Sequence, residues 1–165
     1  MALHPFGLVL FGILSPQGPP LGTLPIPPPP TPVAQPGANV DERGASAMFD
    51  AVNRERVASG RAPLVLDRRL AALARDHALD MATRNYFSHE TPDGRSPFAR
   101  MAQADYRFDY AGENMALDED AQAADHALWN SPEHRDNTLE SHFARIGIAA
   151  VRTNDGELFV EDFSD

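Results

Sequence analysis

The chain has 165 residues, enough for one domain with a substantial core. Hydrophobic residues make up 42% and charged residues 23%, the balance of a soluble globular protein, and the absence of cysteine excludes disulfides, thiolate metal sites and a cysteine nucleophile. A net charge of −10 argues against broad electrostatic binding to nucleic acid, because nothing neutralises phosphates in bulk.

Residues 1–15 contain the apolar run Phe6–Leu14, too short to span a bilayer and of a length that suits a secretory signal or anchor. Residues 16–44 form a linker dominated by proline, including Pro27-Pro28-Pro29-Pro30. Proline lacks the N–H and fixes φ, so this stretch predicts a disordered, partly polyproline II spacer. The folded domain is expected over about residues 45–165.

Within it, helical spacing of Met48, Phe49, Val52, Arg56 and Val57 predicts a helix over Ser46–Ser59, stopped by Gly60. Asp67 caps a second helix over Arg68–Arg84, with Leu70, Leu73, Ala74, His77 and Met81 on its apolar stripe. His77 therefore reads as a core histidine with one polar partner. Pro92-Asp93-Gly94 signals a tight turn, and Ser96-Pro97 opens a short helix to Ala104. Asp105–Asn114 lacks a stripe and reads as loop. Asp118 or Asp120 caps a helix ending at Asn130, and Ser131-Pro132 restarts one through Leu139. Arg145–Arg152 and Glu157–Phe163, joined by Asn154-Asp155-Gly156, predict a C-terminal β-hairpin. Helices early and strands late make the fold α+β, with helices packed on a small antiparallel sheet.

Three residues stand out for chemistry. His89 precedes a turn, His134 follows a helix, and Glu113 follows Gly112 between them. Two imidazoles and a carboxylate can ligate zinc with water in the fourth position, or serve as an acid/base set. Spacing alone leaves both open. There is no H-E-x-x-H, G-x-S-x-G, P-loop or dinucleotide fingerprint, so no nucleotide or organic cofactor is expected.

A collinear set of motifs runs through the domain. The set begins with Asn53-Arg54-Glu55-Arg56, Pro63-Leu64, Asp80-Met81 with Phe87-Ser88-His89, and Pro92-Asp93-Gly94-Arg95-Ser96-Pro97-Phe98. It continues with Ala111-Gly112-Glu113-Asn114-Met115-Ala116, Trp129–Leu139, Arg145–Ala149 and Phe159–Phe163. Through this set the chain resembles the bacterial branch of the CAP superfamily, the SCP-like extracellular proteins that include cysteine-rich secretory proteins, antigen 5 and plant pathogenesis-related proteins. The resemblance implies an α-β-α sandwich with a cleft where His89, Glu113 and His134 meet, Glu113 acting as ligand or as partner behind a ligand. The second cleft glutamate of eukaryotic members falls on Asn130-Ser131 here, which leaves Glu133 as the candidate replacement. Glu161 stands where the family commonly has glutamine. The resemblance further implies secretion or envelope association. It points to a binding module whose cleft takes zinc or another divalent cation, with a protein, cell-wall or lipid partner. The alternatives are a metal-assisted hydrolase of peptide or cell-wall material, with Glu113 as general base, and an apolar-ligand binder.

Overall fold

A computed structural model describes residues 39–165; the expected signal and most of the proline-rich linker lie outside the described residues. The first strand, β1 (Asn39–Val40), leads directly into helix α1 (Glu42–Ala58). This helix starts four residues before the expected Ser46, because the Asp41 carboxylate accepts from the N–H groups of Arg43 and Gly44 at 2.9 and 3.1 Å. The short strand β2 (Val65–Leu66) precedes α2 (Arg68–Arg84), which Asp67 caps as predicted and which Asn85 ends in the left-handed conformation. Helix α3 (Pro97–Gln103) follows the turn at Gly94, whose φ of 81° suits glycine. Then come β3 (Ala111–Asp118), α4 (Ala121–Asn130, capped by Asp120), α5 (Pro132–Thr138), and the hairpin β4 (Arg145–Arg152) and β5 (Glu157–Ser164).

Strand β3 corrects the expected loop. Its first residues, Ala-Gly-Glu-Asn, carry little intrinsic strand preference, yet all are buried and paired with β5 from Ala111↔Ser164 onward. Packing on both faces overrides propensity here. The sheet runs β1-β4-β5-β3, antiparallel along this path, with β2 added in parallel to β4.

Alternation divides the sheet between two cores. Ile146, Ile148, Ala150, Phe159 and Phe163 pack with Met48 and Val52 of α1 and Ala124 and Leu128 of α4. Met115, Ala149, Val151 and Val160 pack on the other face with Ala74, Ala78 and Met81 of α2. Helix α2 presses hard on β4: a Cβ at Gly147 would stand 2.1 Å from the backbone of Leu70 and Ala71. Helices on both sides of a mostly antiparallel sheet make the α-β-α sandwich expected from the sequence.

Two motif residues secure the frame. The Asn53 side chain brackets Leu64, accepting from its N–H at 2.7 Å and donating to its carbonyl at 3.1 Å. Arg56, a position of both the helix stripe and the motif, is buried and donates to the carbonyls of Ala62, Thr138, Glu140 and Phe143, tying α1 to the end of α5 and the chain beyond it.

Candidate functional site

Strand β3 is an edge strand, and the site forms along it. From the α2 side come His89, in the segment before α3, and Arg100 of α3. His77 positions that segment: its ring is buried and its Nε2–H donates to the Ser88 carbonyl at 3.0 Å. This is the predicted core histidine with one polar partner. Arg100 donates to the His89 carbonyl at 2.7 Å and to Glu113 Oε2.

Glu113, on β3, joins these pieces. Its Oε1 lies 2.6 Å from His89 Nδ1, and both side chains are about 1% exposed. With Nδ1–H donating to the carboxylate, His89 Nε2 holds a free lone pair. That nitrogen is buried without a hydrogen-bond partner. Burial depresses the His89 pKa to about 4, aided by the Arg100 charge, so the ring is neutral at pH 7.

Asp162 lies opposite Glu113 in the β3–β5 register, close enough for the two carboxyls to share a hydrogen bond. Burial pushes Glu113 up to about 7 against the pull of Arg100, and it raises Asp162 well above the carboxylate range, with Glu113 adding to the effect. Two adjacent buried carboxyls cannot both ionise. They hold one proton between them, and Arg100 balances the remaining charge.

His134 approaches from the α4–α5 side. Its Nδ1 pairs with Ser131 Oγ at 2.7 Å, and its Nε2 is likewise buried without a partner. Burial lowers its pKa, and the neighbouring His89 adds to the shift. Helix α5 is held by Asn114, whose amide donates to the His134 carbonyl at 3.3 Å and Thr138 Oγ1 at 3.2 Å, and accepts from Asn137 Nδ2 at 2.9 Å.

Strand β3 thus brings Glu113 to His89, and its next residue, Asn114, to the helix that carries His134. Both Glu113 oxygens are engaged by His89 and Arg100, so Glu113 stands behind His89 rather than beside it as a free donor. Among the described residues no group of three or more histidine and acidic side chains is arranged to hold a metal ion. The Nε2 atoms of His89 and His134 are each buried without a hydrogen-bond partner, on rings whose pKa values burial lowers.

Glu133, the candidate second acid, is exposed in the first turn of α5, and the acid that lies beside Glu113 is the buried Asp162. A signal for Asp162 existed in the sequence: it shares a strand face with Leu158 and Val160, where a carboxylate requires a partner. Arg100 gave no comparable signal. Gly112 lies within β3 and admits close approach, since a Cβ there would meet Asn137 Oδ1 at 2.5 Å. Arg135 donates to the Trp129 carbonyl at 3.2 Å, and Trp129 is half-buried.

A family model for CAP, the cysteine-rich secretory protein family, matches residues 49–163, and the chain belongs to that family. It does so without a single cysteine. The chain is 34% identical over 117 residues to the uncharacterized protein YkwD of Bacillus subtilis, a match covering 70% of this chain and 45% of that protein. It is 31% identical to an extracellular protein containing an SCP domain from Bacillus anthracis, with a TM-score of 0.66, covering 73% of this chain and 40% of the other. The fold also matches an outer surface protein from Borrelia burgdorferi, with a TM-score of 0.72 at 19% identity, over 78% of this chain and 98% of that one. The chain therefore spans less than half the length of both Bacillus relatives. No helix among the described residues is long and apolar enough to cross a membrane.

Proposed function

We propose that the chain is a secreted or envelope-associated binding module that takes a divalent cation, zinc above all, at its cleft. His89 Nε2 and His134 Nε2 would hold the ion, leaving its other positions to water or to a group from a binding partner. The observation that carries this reading is the pair of buried imidazole nitrogens with no hydrogen-bond partner. Buried polar atoms are nearly always satisfied, so an unpartnered nitrogen on each of these two rings supports a ligand there. Glu113 adds support, because a carboxylate behind a ligating histidine fixes its tautomer and strengthens it as a donor. The extracellular and outer-surface relatives support the location.

Binding fits better than hydrolysis. The expected general base, Glu113, is about 1% exposed and hydrogen-bonded to His89 and Arg100, away from the solvent water it would have to activate.

Zinc titration of the full chain by calorimetry tests the reading. Binding should vanish in His89→Ala/His134→Ala and weaken about 10- to 100-fold in Glu113→Gln. Equal affinity in the wild type and the double variant overturns it.

A further inference from the structure

The opposite edge of the sheet carries a second feature. Strand β4 is covered there in two places, by β1 at Val151–Arg152 and by β2 at Arg145–Ile146. At the hairpin end Thr153 N–H donates to the Gly156 carbonyl, so odd-numbered residues of β4 face β5 and even-numbered ones face the open edge. The Ile146 carbonyl accepts from Asp67 N–H there, and the Ala150 carbonyl from Asp41 N–H, each at 2.8 Å. Ile148, midway between them, has no backbone partner on that side among the described residues.

This gap opens into a groove of about 410 Å³ between α1 and α2, with walls that include Val40, Phe49 and Leu66. That volume lies in the range of ligand pockets. Leu66 is 49% exposed and Val40 39%, so the apolar wall is open to solvent. Two arginines border it, Arg68 and Arg75, seven residues apart and hence on one side of α2. Neither makes a hydrogen bond or ion pair among the described residues. Glu42 is the opposing charge in the groove, which leaves it net positive on a domain that is otherwise acidic.

We propose that this groove docks the C-terminal end of an apolar peptide, with its carboxylate at Arg68 and Arg75 and its backbone paired to Ile148. Each part of the groove selects one part of that ligand. The apolar walls take a side chain, the free arginines take a carboxylate, and the open backbone edge takes a peptide group. An acyl chain would satisfy the walls and the arginines but would leave Ile148 N–H and C=O buried without partners. Residues 1–38 contain no acidic side chain. Asp165 is held at a separate place, where its carboxylate accepts from the N–H groups of Asp109 and Tyr110. The proposed occupant is a partner polypeptide with a free C-terminal carboxylate.

The test is fluorescence anisotropy on the full chain. The probe is a pool of short fluorescein-labelled peptides that end in leucine, valine or phenylalanine, made with a free C-terminal carboxylate and, separately, as the amide. The acid pool should bind at least about tenfold more tightly than the amide pool, from the loss of charge-assisted hydrogen bonds. Arg68→Ala/Arg75→Ala should erase that difference while leaving the thermal midpoint unchanged. Dodecanoate should compete weakly. No binding of the acid pool, equal affinity for acid and amide, an unaffected double variant, or displacement by dodecanoate at lower concentration than by unlabelled peptide each overturns the proposal.

Discussion

Glu161 is the residue whose replacement gives the sharpest reading of this fold. It is fully buried on β5, under α1 and α4, where its Oε2 accepts from Asn114 Nδ2 at 3.1 Å and its Oε1 has no partner. Burial raises its pKa from 4.5 to about 8, reinforced by the nearby Asp125 and Glu55 carboxylates. In the unfolded chain the group ionises near 4.5. Between that pH and about 8 the folded protein binds the extra proton, so stability falls as pH rises through this window and is flat on either side. Each pH unit withholds about 1.4 kcal/mol, which sets a ceiling near 5 kcal/mol for the whole window. Relaxation around the site brings the expected effect to about 2–4 kcal/mol. Glu161→Gln has the same shape, keeps an acceptor for Asn114, and never ionises. It should match the wild type at pH 4.5 and exceed it by about 2–4 kcal/mol at pH 8. Urea denaturation at both pH values measures the difference. Parallel curves for the two proteins across the window would refute the reasoning.

Gly147→Ala should cost more than about 4 kcal/mol, because its methyl would meet the backbone of Leu70 and Ala71 at 2.1 Å, where no side chain can yield; thermal melting, or failure to purify folded protein, checks this. Asn114→Ala should cost about 2–4 kcal/mol by leaving the His134 carbonyl, Thr138 Oγ1 and Asn137 Nδ2 unpaired. Hydrogen exchange should then show faster exchange in α5 than in α2.

The sequence was most legible where local chemistry decides the structure. Asp67, Ser96 and Asp120 cap helices in the structure as their side chains suggest, and Asn154-Asp155-Gly156 turns the hairpin. It was least legible where contacts distant in sequence decide. Residues 111–114 have no strand character of their own and become strand because β5 pairs with them and helices cover them. Arg56 looks like one more position of an amphipathic helix, yet its partners lie as far as 87 residues away. His89, Glu113 and His134 could be named from motifs, but their division of roles could not. That division depends on Arg100, whose reach to both the His89 carbonyl and Glu113 follows only from how α3 packs.

The register of β3 explains how two segments distant in sequence are anchored to one strand. Adjacent residues on a strand point to opposite faces. Glu113 therefore turns toward the α2 side and fixes His89, while Asn114 turns toward the α4 side and fixes the helix that carries His134. Their partners on β5, Asp162 and Glu161, alternate in the same way, so each face receives one buried acid beside one anchoring residue. The relative placement of the two imidazoles thus reduces to the geometry of two consecutive peptide units in a paired strand, which is among the stiffest geometry a chain can offer. A slip of one residue in the β3–β5 pairing would exchange the faces of Glu113 and Asn114 and separate both histidines from their supports. The full eight-residue pairing from Ala111 to Asp118 opposes that slip, extending well past the site into Met115, Ala116 and Leu117, whose apolar side chains would be turned to the wrong core.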